Sequence, residues 1–278
     1  MTSLTKRVLT ALVLLPIAIG IVVLSPLPWF AVIIALVFAL AGWEWTRLCG
    51  VESFLVRSSL VIVFLASCAA LWLLRDTPAW WLVIALGVAW WAVALLWFRH
   101  VAFGAAPMAR NVAVKLLAGA FVLIPAWVAA MQLHGNPEQG PHWVLFMLVL
   151  IWAADSFAYF SGSRWGRTRL APTISPGKTW AGVYGALIGS GLVAVLGGWL
   201  LGETGWAWAL LVVLAVFTIA VSIVGDLFES LVKRQANVKD SGKLFPGHGG
   251  LFDRLDSVFA ALPIFVAGTA LIDAALGA

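Results

Sequence analysis

The sequence predicts an all-α, polytopic membrane protein with about nine transmembrane helices, its N-terminus cytoplasmic and its C-terminus outside. Three observations lead there. Hydrophobic residues make up 63% of the 278 positions and charged ones only 10%, against roughly a quarter charged in soluble domains. Apolar runs of about 20 residues, the length a bilayer-crossing helix needs, recur at 8–25, 29–46, 55–74, 79–98, 114–133, 143–162, 180–201, 206–225 and 257–276. When the loops between these runs are assigned to alternate sides, sixteen of the 17 Lys and Arg residues fall on one side and only Arg75 on the other. Basic loops stay in the cytoplasm, so this asymmetry sets the orientation and supports the helix count. The spans form one membrane-embedded domain over 1–278, with N-terminal helices in 1–140 and the chemistry in 141–278. The net charge of +5 is a topological and headgroup signal, and no nucleic-acid partner is expected.

The first run follows Lys6 and Arg7 like a signal peptide. It lacks a small-residue cleavage site and a second run follows at once, so a retained helix is expected. Helices one to five carry little chemistry. Glu44, Glu52 and Arg57 sit near helix ends, where long side chains reach headgroups, and are expected only to anchor. Trp80, Trp81, Trp90, Trp91 and Trp97 are expected mostly as lipid-facing or interfacial bulk. Cys49 and Cys68 have no metal-type spacing. Gly191, Gly197 and Gly198 permit close helix packing.

The second half differs. Asp155 lies inside the sixth run, where a carboxylate costs on the order of 2.5–3.5 kcal/mol at the helix centre. It is either helix-to-helix glue or part of a site. Next come Arg164, Arg167 and Arg169, then Ser175-Pro176-Gly177-Lys178-Thr179. The Gly-Lys-Thr triplet suggests a nucleotide-binding P-loop, but Pro172 stands where that motif needs glycine and no strand is expected ahead of it. Lys178 stays open as a phosphate contact.

The densest polar stretch runs from Asp226 to Asp256. Asp226, Glu229, Ser230 and Lys233 share one helical arc, and Asp253 and Asp256, three apart, share another face. Between them Pro246-Gly247-His248-Gly249-Gly250 can turn tightly, and a helix beginning just after it would aim free N–H groups at an anion. Capping acids and a topological basic loop do not account for five acids (Asp226, Glu229, Asp240, Asp253, Asp256) interleaved with five basic residues. Carboxylates of this kind suit a hard divalent ion such as Mg²⁺ with substrate phosphates, whereas zinc would call for more His or Cys.

The pattern Ser230-x-Val232-Lys233-Arg234-x4-Lys239-Asp240-x-Gly242-x2-Phe245-Pro246-x-His248-Gly249-Gly250-Leu251-x-Asp253-Arg254-Leu255-Asp256 closely resembles the phosphatidate cytidylyltransferase (CDP-diglyceride synthase) family. The Asp155 segment and Ser175–Thr179 resemble it too. The resemblance implies a Mg²⁺-dependent nucleotidyltransferase of the bacterial inner (plasma) membrane, with its site on the cytoplasmic side. It would transfer CMP from CTP to phosphatidate, giving CDP-diacylglycerol and pyrophosphate, and would often be a homodimer. It implies that Asp226, Asp253 and Asp256 hold the metal, with a monovalent cation as a second ion. On this reading Lys233 and Asp240 join those aspartates as catalytic, while Lys178, Arg234, Lys239, His248, Arg254, Ser230 and Asp155 contact substrate. Two rivals are a CTP-dependent kinase of a lipid alcohol, which would need a base, and a transporter, which would place its charges near the midplane with access from both sides.

Overall fold

The computed structural model describes residues 3–137, 139–245 and 249–277, with side chains from Leu12 onward. Nine α-helices occur among the described residues: α1 (Ser3–Leu24), α2 (Leu27–Leu48), α3 (Phe54–Leu73), α4 (Ala79–Trp97), α5 (Ala109–His134), α6 (Gly140–Trp165), α7 (Trp180–Leu200), α8 (Gly205–Gln235) and α9 (Phe252–Leu276). Eight of them, α2 to α9, are long and apolar enough to cross a membrane, as a multi-pass membrane protein requires. Each expected run has its helix. The boundaries that moved most are those of α1, α5, α8 and α9, where polar turns continue the helix beyond its apolar run, most of all through Asp226–Gln235.

One element was not anticipated. A short antiparallel hairpin, β1 (Arg169–Ala171) and β2 (Ser175–Thr179), pairs Arg169 with Thr179 and Ala171 with Ser175 between α6 and α7. A strand therefore does lead into the helix after Gly177-Lys178-Thr179, contrary to the expectation, although Pro172 still rules out the P-loop. Thr179 ends the strand and caps α7, its hydroxyl accepting the Gly182 N–H at 3.2 Å, as N-cap threonines do.

The central helices are α5 and α9, whose spanning windows are 56% and 50% buried, while α3 at 6% is peripheral. Gly87 of α4 lies against Pro125 of α5 and Pro263 of α9, so three helices cross where only a hydrogen fits. This crossing buries Trp80, Trp91 and Trp97, and Trp90, Trp91 and Trp97 surround Phe228 of α8 edge-on. Most of the tryptophans expected at the lipid boundary are thus interior packing, and among the five Trp81 is the exposed one. Cys49 is buried as well. Burial pushes its thiol up to about 12 against the opposing pull of Lys115, so it packs as a neutral group.

Polar contacts gather alternate loops at one end of the bundle. Arg47 at the end of α2 donates to Ser241 O, Gln235 of α8 donates to Val101 O and Phe103 O, and Arg234 Nε donates to Ile174 O of the hairpin. At the far end, Gln139 reaches Leu201 O and His134 pairs with Val22 O. The loops rich in Lys and Arg therefore share one end of the molecule.

Candidate active site

Two close helix pairs, α6 with α7 and α8 with α9, build the site. Gly225 of α8 lets α9 approach until an added Cβ would lie 2.6 Å from the Asp256 carbonyl. This brings Asp226 and Glu229, one turn apart on α8, against Asp256 on α9. One carboxylate oxygen from each of the three lies within 4.8 Å of the others. The Glu229 side chain is 1% exposed, and its Oε1 is buried with no hydrogen-bond partner. An orphaned carboxylate oxygen among three acids is costly unless a cation or donor occupies the space between them.

The other acceptors are engaged. Glu229 Oε2 receives Lys233 Nζ at 2.6 Å, and the same ammonium reaches Asp253 Oδ1 at 2.6 Å. Asp253 Oδ2 accepts from Gly250 N (2.7 Å) and Ser241 N (2.9 Å) and lies 3.0 Å from Ser241 Oγ. Asp253 was expected to be a third metal ligand beside Asp226 and Asp256. Its two oxygens are instead committed to Lys233 and to the loop, and Glu229 stands in the three-acid group. Sequence periodicity had put Glu229 on the right arc, but only the packing of α8 on α9 shows which acids converge.

Lys178, delivered by the hairpin, lies 2.5 Å from Asp226 Oδ2, and Ser230 Oγ donates a long 3.4 Å bond to Asp226 Oδ1. Arg234 steadies the hairpin that carries Lys178. A cavity of about 380 Å³ opens beside this pair, lined by Asp155, Tyr159, Arg169, Lys178, Ser222 and Asp226 among others. Asp155 thus faces a polar space shared with Lys178, and the exposed Arg254 acts on it electrostatically. Lys239 and Asp240 are exposed, with Asp240 beside Gly249. His248 lies outside the described residues, as do Pro246 and Gly247. Their flanks meet as expected of a tight turn, Phe245 N donating to Gly249 O at 3.0 Å.

The free N–H groups expected at the start of α9 are not free. Phe252 N–H is taken by the Glu44 carboxylate at 2.9 Å, and Gly250 N–H by Asp253. An anion does sit at this helix N-terminus, as the dipole favours, but it belongs to the protein. Glu44 was expected only to anchor α2. Its partners lie 197 and 208 residues away, so no local pattern could have marked it.

A sequence model described as the cytidylyltransferase family matches residues 5–272. The chain belongs to that family. Among its relatives, the phosphatidate cytidylyltransferase of Pseudomonas aeruginosa is 40% identical over 268 residues, covering 95% of this chain and 96% of the relative. That of Haemophilus influenzae is 36% identical, covering 94% and 97%. That of Mycobacterium bovis is 33% identical, covering 92% and 87%. The match spans both halves of this family member, so α1 to α5 belong to the shared architecture along with the motif-bearing helices.

Proposed function

We propose that this chain is a phosphatidate cytidylyltransferase, which joins CTP and phosphatidate into CDP-diacylglycerol with release of pyrophosphate. The observation that best supports this reading is the three-acid group Asp226, Glu229 and Asp256, with its unpartnered Glu229 oxygen, beside Lys178 at a polar cavity. A partly buried set of hard oxygen donors fits Mg²⁺. When bound, the ion would supply charge neutralisation and polarisation at the nucleotide phosphates.

The chemistry asks little proton transfer of the protein. A phosphate monoester has its second pKa near 6, so phosphatidate arrives largely ionised and needs no strong base. Its oxygen attacks the α-phosphorus of CTP, the new phosphoanhydride forms, and the bond to the leaving pyrophosphate breaks with its electron pair. Holding two anions in line is then the main task. Lys178, Lys233 and Arg254 supply cations around the acids, and Asp155 and Arg169 line the space where headgroup and nucleotide would meet. Lys178 can pass from Asp226 to an incoming phosphate because the hairpin carries it on one side of the cavity.

The site end of the bundle is taken to face the cytoplasm of a bacterial inner membrane, on the strength of the basic loops gathered there. An alkaline phosphatase fusion after Ala278 should then be active and one after Arg169 silent. The proposal includes a homodimer, checked by native mass spectrometry from nanodiscs, and a monovalent cation as second ion, checked by potassium dependence. The deciding experiment incubates purified protein with labelled CTP, phosphatidate and Mg²⁺. A cytidine-retaining lipid with pyrophosphate release, abolished by EDTA, is the expected result. A lipid monophosphate with released CDP would overturn the reading in favour of a kinase.

A further inference from the structure

We propose that Glu44, with Arg47 one turn further along α2, positions Ser241 and the first turn of α9 and through them the metal-binding acids. The activity arm of this inference rests on the cytidylyltransferase reading above, while the binding arm does not.

Ser241 is 0% exposed, and α2 holds it at two points. Its hydroxyl lies 2.8 Å from Glu44 Oε2 and its carbonyl accepts Arg47 Nη2 at 2.7 Å. The same Glu44 oxygen accepts Phe252 N–H at 2.9 Å, capping a helix whose own N-cap residue, Leu251, contributes no side-chain bond. From Ser241 the contacts run on without a gap. The Ser241 N–H and hydroxyl meet Asp253 Oδ2, Asp253 Oδ1 meets Lys233, and Lys233 meets Glu229 Oε2. Glu229 Oε1 is the orphaned oxygen of the three-acid group. Each link beyond Ser241 involves at least one charged partner, the stronger class of hydrogen bond. Displacing Glu44 would release Ser241 and the first turn of α9, and with them the fixed orientation of Asp253 and Lys233.

Two further observations show that the contact is built rather than incidental. A Cβ on Gly242 or on Gly250 would enter the space of the Glu44 carboxylate, so the loop leaves room for this side chain on two sides. The helix beneath it is also locked. Trp45 is 2% exposed, its Nε1 donates to Lys115 O at 2.9 Å, and its ring stacks on Phe252 with centroids 5.0 Å apart. Glu44 therefore projects from a fixed base.

The test uses the full chain purified in detergent, with Mn²⁺ as a paramagnetic probe for the divalent site. Free Mn²⁺ is read by electron paramagnetic resonance, and kcat per folded molecule is measured in parallel. Partners behind metal ligands typically cost about 10–100-fold in metal affinity or activity when lost. Glu44→Ala and the one-methylene-shorter Glu44→Asp should both weaken Mn²⁺ binding and lower kcat within that range. Glu44→Gln keeps a carbonyl oxygen where Oε2 sits and should retain most of both. Glu44→Ala combined with Ser241→Ala should be no worse than the more damaging single change, because both cut one chain. If Glu44 is only a helix cap, Glu44→Asp melts at a lower temperature yet binds Mn²⁺ and turns over like wild type, and the proposal fails. Equal damage from Gln and Ala would also overturn it, since acceptor geometry would then not matter. Absence of Mn²⁺ binding by the wild type would overturn the premise. A wild type that binds Mn²⁺ but makes no CDP-lipid would sink the substrate reading alone, and the Mn²⁺ titrations would still decide the role of Glu44.

Discussion

Residues 1–140 and 141–278 contribute to the site in opposite ways. The first half holds four of the chain's twelve acids and the second eight, and all three members of the converging acid group come from the second. That half displays its chemistry because a ligand for a highly charged substrate needs many formal charges close together, and membrane helices tolerate these only where they work or pair. The first half adds one carboxylate and one guanidinium at the end of α2. Holding a loop in place takes two side chains, whereas neutralising phosphates takes many. Density of charge therefore marks the ligand side of a site and hides the scaffold side.

The largest expected effects lie in the second half. Asp226→Asn, Glu229→Gln and Asp256→Asn each remove a charge from the acid group while keeping its shape. Each should cost at least roughly 100-fold in turnover per folded molecule, beyond the 10–100-fold typical of partners behind the ligands. Asp253→Asn should also lose activity, by roughly tenfold or more, through a loosened Lys233 and Ser241. Near-normal turnover in Asp256→Asn would discard the acid group as the metal site. If Asp253→Asn proved more damaging than Glu229→Gln, the ligand set expected from the sequence would be the better one.

A smaller effect probes the seam between the halves. Gly250→Ala puts a methyl group into Ser241 Oγ and Glu44 Oε2 and should reduce activity by about 10–100-fold. Adding Glu44→Ala removes one of the obstacles, while Ser241 Oγ and the Gly242 backbone nitrogen still crowd the methyl group. Because both changes disturb the same seam, the double variant should still lose less than the product of the two single losses. Fully multiplicative losses in kinetic assays would show that the two halves do not meet functionally at this point.

How much was legible follows from the same contrast. The nine helices were readable because the hydrophobic requirement of the bilayer is local and repeats every 20 residues or so. The hairpin was not, because three-residue and five-residue strands leave too little pattern, and Arg234, which steadies it, is distant in sequence. Asp226, Asp256, Lys178 and Asp155 could be picked out by charge in an apolar setting. That Glu229 rather than Asp253 converges with Asp226 and Asp256 becomes visible only once Gly225 is seen to let α8 and α9 touch, with Ser241 and Gly250 already bonded to Asp253. The interior tryptophans looked like lipid-facing ones because composition cannot tell a helix wrapped by α5, α8 and α9 from one bathed in lipid.

A modest effect tests the base beneath Glu44. Trp45→Phe keeps an aromatic ring against Phe252 but loses the Nε1 bond to Lys115 O, worth about 1 kcal/mol. The melting temperature should fall by a few degrees with activity within about threefold of wild type. A collapse in activity without a stability change would move Trp45 itself into the functional machinery.

The smallest expected effect lies at the opposite end of α9. Asp273 is 20 residues beyond Asp253 on a continuous helix, which at 1.5 Å per residue places it about 30 Å from the site. Asp273→Asn should therefore leave turnover and Mn²⁺ affinity unchanged. Its one expected consequence is local. Glu203, in the loop before α8, has its carboxyl raised above the usual range, first by burial and then by the charge of Asp273. A folded-state carboxyl that titrates above its unfolded value binds more protons than the unfolded chain, so stability falls as pH rises through that window. On the high-pH side of that window Glu203 is ionised in both states and the Asp273 repulsion is fully expressed. Asp273→Asn relieves it, so the variant should melt at the same temperature as wild type or slightly higher at pH 7. The difference should shrink as the pH is lowered into the carboxylate range and Glu203 takes up its proton. Thermal melts of both proteins in detergent between pH 4 and pH 7 measure this directly. Lower stability at pH 7, or a loss of turnover beyond a few-fold, would show that the far end of α9 is coupled to the acids at its start.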